Sequence, residues 1–521
     1  MGEALQGGAR AGQEERRDPA AADLIIHGAR IKVPKVHPRR WRFLLLALGA
    51  CGCAGAGRQA AEPVERPNIV FIIADDLGYG DIGPYGQTRI QTPNLDRMAR
   101  EGVRFTQFYS GSPVCAPARS TLMTGQHTGH TPIRGNKPAP PIGQEPLPAE
   151  AVTLAEVLKE AGYVTGAFGK WGLGGPGAEG SPIRQGFDEF FGYLDQSRAH
   201  FYYPEFLFHE EEPAPLPGNR VRPGSRLGAG WVVERGVYSH DTIAAAALDF
   251  IERHRDRPFF LYVPFTIPHA ELEAPPDAYA PYLDASGKSV FEERPYPGEH
   301  YGPQPMPRAT YAAMITRMDR DVGRILDKLK ELGLERKTIV FFTSDNGPHR
   351  EGGYDPEYFD SNGPLRGIER DLYEGGIRVP MLVWWPGTVP AGVTSDHVWA
   401  MWDVLPTLAE LAGARVPEGI DGLSMVAALT GRGRPPEHRY LYWEFYEQGS
   451  RQAVRAGRWK AVRQPMLTGP IELYDLENDP GEERDVAAEN PEIVARLRAY
   501  MDEAHTPSPT WAPPARMGAG D

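Results

Sequence analysis

The segment NIVFIIADD (residues 68–76) joins an unbroken apolar run to two terminal aspartates. A short run of this kind is typical of a strand that is buried on both faces, as the strands of parallel sheets are. Four more segments share the pattern: VTGAFGKW (164–171), PFFLYVPF (258–265), TIVFFTSDN (338–346) and VPMLVWW (379–385). Amphipathic helical stretches separate them. We therefore predict an α/β fold with a large, mostly parallel sheet sandwiched by helices.

The chain changes character after residue 430. Short alternating segments follow, and then a helical stretch near 491–505. This pattern predicts a smaller C-terminal subdomain, built from an antiparallel sheet plus a helix. We divide the chain into an N-terminal extension with a signal segment and linker (1–66), a main α/β domain (67–430), the antiparallel subdomain (431–505) and a flexible tail (506–521).

The N-terminal part resembles an export signal. Three arginines precede the apolar run 43–48, which is too short to span a bilayer and fits the core of a signal peptide. The letters LGAC (48–51) resemble a bacterial lipobox, in which Cys51 would carry the lipid. We expect an exported protein, in the bacterial periplasm or as a membrane-anchored lipoprotein. A cleaved signal without a lipid anchor and a buried helix are the alternatives.

Polar residues follow the apolar strands where ligands bind in α/β sheets, beyond the carboxyl ends. Asp75 and Asp76 close the first strand, and Asp345 and Asn346 close the fourth. Carboxylate and amide oxygens are the ligands that hard divalent cations prefer. The pattern indicates a cation site, although each pair taken alone also fits a helix cap.

Cys115 is the only cysteine beyond the signal-like region, within SPVCAPARSTLMTGQ (112–126). A helix is predicted to begin near Pro117, and its free N–H groups would favour an anion and lower the pKa of a thiol. A reactive thiolate is therefore one interpretation. A buried structural cysteine is the other.

The order of residues around Cys115 resembles C-x-P-[SA]-R-x-x-L-x-T-G, the signature of the type I sulfatases in the alkaline phosphatase-like superfamily. Further segments follow in the order of that family: PNIVFIIADDLGYGDIG, GKWGLG, TIPHA, TSDNGPH and LYEGGIRVP. The resemblance extends over about residues 67–490. It implies that the main α/β domain is a sulfatase catalytic domain.

In that family the signature cysteine is oxidised to formylglycine (3-oxoalanine) by a formylglycine-generating enzyme, and the hydrated gem-diol attacks sulfur. The resemblance implies this modification for Cys115. It implies that Arg119 orients the gem-diol, that Lys170 binds a sulfate oxygen and that His269 is a general acid or a leaving-group contact. It also implies Ca²⁺, with Mg²⁺ as the alternative, held by Asp75, Asp76, modified Cys115, Asp345 and Asn346.

Two positions depart from the family pattern. Gly172 stands in GKWGLG where the family often has histidine, and His200 or His349 is a candidate to compensate. Glu369 stands in LRGIERDLYEGG where lysine is common. Arg366 or Arg370 is a candidate to replace that lysine. Alternatively, Glu369 contacts a cationic or hydroxyl group of the substrate, or it points away.

The resemblance predicts an exported enzyme that hydrolyses a small aryl sulfate or a sulfated saccharide. A phosphonate monoester or phosphodiester hydrolase with the same modified cysteine is the first alternative. A lipid-anchored protein that binds sulfated glycans without cleaving them is the second. The formal net charge of −13 argues against nucleic acid as a partner.

Overall fold

The computed structural model describes residues 21–26, 29–34, 66–224 and 229–513. The chain forms two compact units, Met1–Pro63 and Val64–Asp521. In the first unit, strands β1 (Ala21–Ile26) and β2 (Ala29–Pro34) pair antiparallel. The predicted signal segment, with Cys51, lies outside the described residues. No helix in the described ranges is long and apolar enough to cross a membrane.

The second unit is built on an eleven-stranded sheet. Its strands are β3 (Asn68–Asp75), β4 (Val103–Tyr109), β5 (Val164–Lys170), β6 (Glu189–Tyr193), β7 (Phe206–His209), β8 (Glu212–Pro215), β11 (Phe259–Pro268), β12 (Thr338–Ser344), β13 (Arg378–Trp384), β14 (Val393–Ser395) and β15 (Trp399–Ala400). They lie in the order β14-β4-β13-β12-β3-β11-β5-β6-β7-β8, with β15 also beside β4. Strands β9 (Arg220–Pro223) and β10 (Gly230–Glu234) form a separate antiparallel hairpin.

The centre of this sheet is parallel, which confirms the predicted fold class. β3 pairs in parallel with β11 and β12, and β5 pairs in parallel with β11 and β6. β13 is antiparallel to both of its neighbours, β12 and β4. Its apolar sequence predicted the strand without its direction, because burial on both faces produces the same composition in either orientation.

Helices cover both faces of the sheet. They are α1 (Pro93–Glu101), α2 (Cys115–Thr124), α3 (Leu154–Glu160), α4 (Ser239–His254), α5 (Pro307–Glu331), α6 (Pro356–Phe359), α7 (Glu374–Ile377), α8 (Val404–Ala412), α9 (Val426–Thr430) and α10 (Pro491–Ala504). A hydrophobic core lies on each face of the sheet, and alternate residues of β3 pack into one or the other. Val70 and Ile72 pack with α1, α4 and α5, whereas Ile69 and Phe71 pack with α2, α3 and α8. A strand buried on both sides in this way requires an unbroken apolar sequence.

The C-terminal part contains the predicted small antiparallel sheet. Its strands are β16 (Leu441–Phe445), β17 (Arg451–Ala456), β18 (Trp459–Arg463) and β19 (Ile471–Asp475), and α10 packs against them. The indole N–H of Trp443 donates to the carbonyl of Ser110 at 2.8 Å, close to the start of α2. In the predicted tail, Trp511 is buried next to Tyr446. The small sheet therefore contacts the segment that leads into α2 and Cys115.

Candidate active site

The carboxyl ends of four parallel strands bring the predicted site residues together. Asp75 ends β3, Lys170 ends β5, His269 follows β11, and Asp345 follows β12. Cys115 is the first residue of α2, which begins at the same edge of the sheet. This is the edge at which open α/β sheets bind ligands.

Cys115 is buried among acidic side chains. It is 3% exposed, and its Sγ lies 3.9 Å from Asp76 Oδ1. Burial raises the pKa of the Cys115 thiol well above its usual range, Lys170 opposes the shift, and Asp75 adds to it. The expectation that the helix N-terminus lowers this pKa was wrong, because burial and the carboxylates outweigh the helix. The unmodified thiol is therefore poorly suited to act as a thiolate nucleophile.

Arg119 lies one helical turn after Cys115 and bridges two carboxylates. Its Nε and Nη2 donate to Asp345 Oδ2 at 3.1 and 2.7 Å, and Nη2 lies 3.3 Å from Asp75 Oδ1. Lys170 Nζ donates to Asp75 Oδ2 at 2.7 Å. Burial alone would lower the pKa of both cations, but Asp345 and Asp75 outweigh it and raise both values. Both side chains therefore stay charged within the protein interior.

The oxygen atoms of the predicted cation site converge and are incompletely bonded. One donor atom from each of Asp75, Asp76, Cys115 and Asp345 lies within 4.8 Å of the others. Among the described residues, Asp76 Oδ2 and Asn346 Oδ1 are buried without a hydrogen-bond partner. Burial raises the pKa of Asp76, and burial together with Asp75 raises that of Asp345 to about 6. Buried oxygens left in this state fit a hard divalent cation, which supplies the missing positive charge.

His269 faces the same carboxylates. Its Nε2 lies 3.5 Å from Asp76 Oδ2, and its Nδ1 is hydrogen-bonded to the carbonyl of Ala270. Burial, Lys170 and His349 lower the pKa of His269 to about 3. The rings of His200 and His349 stack at 4.8 and 5.7 Å from its ring. His269 is therefore held as a neutral ring between two other histidines.

A cavity of about 210 Å³ opens above these residues. Cys115, His269 and Glu369 are among its lining residues. Glu369 therefore does not point away, and Arg370 Nη1 donates to its Oε2 at 2.6 Å. Burial and Asp76 raise the pKa of Glu369 well above its usual range, although Arg370 opposes the shift. Of the two arginines considered as substitutes for lysine, Arg370 lines the cavity.

Arg366 and His349, the other two candidates, form hydrogen bonds outside the cavity. Arg366 Nη1 donates to Tyr474 Oη at 3.1 Å, toward the small sheet. His349 Nε2 lies 3.2 Å from the carbonyl of Pro268, and its Nδ1 accepts from the backbone N–H of Glu351 at 3.0 Å. Both ring nitrogens of His349 therefore have backbone partners. Of the two candidate histidines, His200 is the one that lines the cavity.

Gln196 lines the cavity together with Cys115 and was not predicted from the sequence. A Cβ added to Gly172 would collide with the amide Nε2 of Gln196. Gln196 follows β6, a strand that the apolar pattern did not predict. No sequence signal marked it, because it lies in a connecting segment without a motif.

Comparison with known families agrees with this geometry. A family model described as sulfatase matches residues 67–414. The chain belongs to the sulfatase family. A second model, described as the C-terminal part of N-sulphoglucosamine sulphohydrolase, matches residues 368–506 of this sulfatase.

Known sulfatases match this chain over most of their length. This sulfatase is 34% identical to arylsulfatase A of Homo sapiens, covering 90% of this chain and 93% of the relative. It is 35% identical to N-acetylgalactosamine-6-sulfatase of Canis lupus familiaris, covering 81% and 75%. The crystal structure of Ps i-CgsB in complex with k-i-k-neocarrahexaose superposes with a TM-score of 0.70 at 29% identity, covering 86% of this chain and 95% of that one. The protein is a sulfuric ester hydrolase.

Proposed function

We propose that this sulfatase is exported and hydrolyses an aryl sulfate or a monosulfated saccharide with Cys115 converted to formylglycine. One observation carries the proposal. Cys115 begins α2 at the wall of the cavity, with Asp76 on one side and the Arg119–Asp345–Asp75–Lys170 chain of ion pairs on the other. The buried thiol lies beside carboxylates that disfavour its ionisation, whereas an aldehyde hydrate at the same position would supply a nucleophile without forming a thiolate.

The charge balance of the site supports a monoanionic substrate. Three ionised carboxylates (Asp75, Asp76, Asp345) face two cations, Arg119 and Lys170. They leave one negative charge, which a divalent cation would turn into one positive charge. A sulfate monoester carries a single negative charge and matches that value. A phosphodiester also carries one, so the charge balance keeps that alternative open.

We assign the cation site to Asp75, Asp76, Asp345 and Asn346 together with modified Cys115, with Ca²⁺ as the expected ion and Mg²⁺ as the alternative. A bound divalent cation supplies Lewis-acid stabilisation of negative charge on sulfate oxygens. One hydroxyl of the aldehyde hydrate would attack sulfur and release the alcohol, and the second would then expel sulfate and leave the aldehyde, which water hydrates again. Arg119 and Lys170 stay charged beside it and attract the anionic ester. His269 lines the same cavity as a leaving-group contact, and it would be a general acid only in a state with a proton on Nε2.

The rim of the cavity supports a substrate with few further negative charges. Glu351, Glu369 and Glu447 line it together with a single arginine, Arg370. Arg370 lies 3.5 Å from Glu351, 2.6 Å from Glu369 and 3.9 Å from Glu447, so its charge is already shared. Burial raises the pKa of Glu351, but Tyr301 and Arg370 are among the groups that lower it to about 2, so this carboxylate stays ionised and would repel additional sulfate groups near the rim. We therefore expect monosulfated substrates to be turned over faster than heavily sulfated saccharides.

The test begins with the full-length protein coexpressed with a formylglycine-generating enzyme. Mass spectrometry of the peptide around Cys115 is expected to show conversion of the thiol to the aldehyde. The converted enzyme is then assayed on a matched pair of substrates, an aryl sulfate and an aryl phosphodiester. Faster hydrolysis of the phosphodiester would favour the alternative hydrolase. Tight binding of a sulfated saccharide with no cleavage of any ester would favour the binding protein.

Export and lipid anchoring need a separate experiment. Mass spectrometry of the mature N-terminus, after expression in a bacterium with a lipoprotein pathway, is expected to identify acylated Cys51. A mature N-terminus without a lipid would support a periplasmic protein released by ordinary signal cleavage. An intact N-terminus in the cytoplasm would contradict export.

A further inference from the structure

Gln196 is buried in the active-site cavity with both ends of its amide unbonded. The residue is 8% exposed and follows β6, whose neighbour β5 ends at Lys170. Among the described residues, neither Oε1 nor Nε2 of Gln196 has a hydrogen-bond partner. A buried amide without partners is unfavourable, so a residue of this kind points to a missing ligand.

Gly172 makes room for this amide. Gly172 has φ of 77°, and a Cβ added there would collide with Gln196 Nε2 and lie 3.8 Å from Arg119 Cδ. The amide nitrogen therefore occupies the space directly above Gly172, on the side of the site where Arg119 and Lys170 lie. The glycine and the glutamine form one feature, since any side chain at 172 would displace the amide.

The donors around Gln196 are already in use. The nitrogens of Arg119 bond to Asp75, Asp345 and the carbonyl of Lys170. Lys170 Nζ is paired with Asp75 at 2.7 Å. Gln196 offers an uncommitted N–H donor in the same cavity as Cys115.

We propose that Gln196 is a substrate-binding residue, whose Nε2–H donates to a nonbridging oxygen of the sulfate ester. This inference rests on the proposed function, because it assumes that the ester lies at Cys115. The carboxamide is neutral, so it adds a directed hydrogen bond to the sulfate without another charge. Gly172 is then the residue that allows this contact.

The decisive variants are Gln196→Met and Gln196→Ala, each made in the full-length enzyme with conversion of Cys115 verified. Methionine keeps the length of the side chain and fills the space above Gly172, but it removes both polar atoms. We expect kcat/KM for an aryl sulfate to fall about 10- to 100-fold in both variants. The melting temperature of Gln196→Met is expected to equal or exceed that of the wild type, because an unbonded amide leaves the interior.

A spacer role would give a different pattern. Wild-type kcat/KM in Gln196→Met, with a loss only in Gln196→Ala, would overturn the inference. Gln185→Met is the matched control, because Gln185 is a buried glutamine whose Nε2 already donates to the carbonyl of Glu179 at 3.1 Å. That change is expected to lower the melting temperature and to leave kcat/KM unchanged.

Binding of inorganic sulfate separates this inference from the proposed function. If the converted wild type cleaves no sulfate ester, the proposed function fails, and calorimetry with sulfate then decides about Gln196. A dissociation constant for sulfate that is at least about fivefold larger in Gln196→Met than in the wild type supports the contact. Equal affinities in the two proteins overturn it.

Discussion

Two buried ionic networks lie in the second unit of this sulfatase, and they differ in charge balance. The active-site network consists of Asp75, Asp76, Arg119, Lys170 and Asp345. The interface network consists of Tyr109, Glu374, Arg378, Lys460 and Glu482, and it joins the large sheet to the small C-terminal sheet. Both have carboxylates that are fully buried.

The interface network has a cation for each carboxylate. Lys460 Nζ lies 3.0 Å from Glu374 Oε1 and 2.9 Å from Glu482 Oε1, and Tyr109 Oη donates to Glu374 Oε2 at 2.6 Å. Burial raises the pKa of Glu374, but Lys460 and Arg378 outweigh it and lower the value to about 2. This carboxylate is stabilised as an anion by the protein alone.

The active-site network lacks that balance. Among the described residues, Asp76 has no lysine or arginine at ion-pair distance, and its Oδ2 has no hydrogen-bond partner. The pKa of Asp345 is raised to about 6. Neither a raised pKa nor an unbonded buried oxygen separates the two networks, because burial raises the pKa of Glu482 to about 7 and its Oε1 has no hydrogen-bond partner among the described residues. The difference is that Glu482 has Lys460 at 2.9 Å, whereas Asp76 has no lysine or arginine at ion-pair distance within the described part of the chain. A shortage of positive charge around a buried carboxylate therefore distinguishes the candidate site.

The largest predicted effect separates chemistry from folding. We expect Cys115→Ala to lower kcat for an aryl sulfate by at least about 10⁴-fold, because it removes the proposed nucleophile. The melting temperature is expected to stay within a few degrees of the wild type. Parallel assays and thermal melts check both values. Retention of more than about a tenth of the wild-type rate would contradict the placement of the nucleophile.

The interface network is expected to show the opposite behaviour. Lys460→Met leaves Glu374 and Glu482 buried without their shared cation, so the free energy of unfolding should fall by about 3–5 kcal/mol. At a temperature where the variant is folded, its kcat/KM should remain close to the wild-type value. Lys330→Met, at an exposed position on α5, is the control and should change neither quantity. Denaturant unfolding and steady-state kinetics measure the two effects.

The sequence predicted the active-site network better than the interface network. Asp75, Lys170 and Asp345 lie at ends of apolar strands, and parallel strands bring such ends to one edge of the sheet. Lys460 lies on β18 of the small sheet and Glu374 begins α7, and the two meet only through tertiary packing. Local apolar patterns contain no information on such a contact.

The other features that the sequence did not predict also depend on contacts between distant segments. Strand β13 was predicted, but its antiparallel direction depends on its neighbours rather than on its own sequence. Gln196 belongs to no sequence motif, and its place in the cavity is recognised only from its packing against Gly172. The orientation of Glu369 depends on Arg370, which has a positive φ of 72° and lines the same cavity. Each of these features is a packing relation between segments that are distant in sequence.

Removal of divalent cations should affect only the active-site network. A cation present at 100 to 1,000 times its dissociation constant stabilises the folded protein by about 3–4 kcal/mol. We expect a chelator to lower the melting temperature of the wild type and to have little effect on Asp76→Asn. Glu374→Gln should keep the full chelator effect, because Glu374 belongs to the other network. An undiminished effect in Asp76→Asn would place the cation elsewhere.

The smallest predicted effect is a pH dependence confined to the interface network. Because the pKa of Glu374 is lowered to about 2 in the folded protein, its stabilising contribution is present above the unfolded pKa of about 4.5 and is lost as the pH falls toward 2. The wild type should exceed Glu374→Gln in stability most clearly near pH 7, and the gap should narrow by about 2 kcal/mol by pH 3. Denaturant unfolding at a series of pH values measures the gap, with Glu418→Gln as an exposed control that should show almost none. A gap that stays constant with pH would mean that Glu374 is not held as a buried anion, and the contrast between the two networks would then fail at its central point.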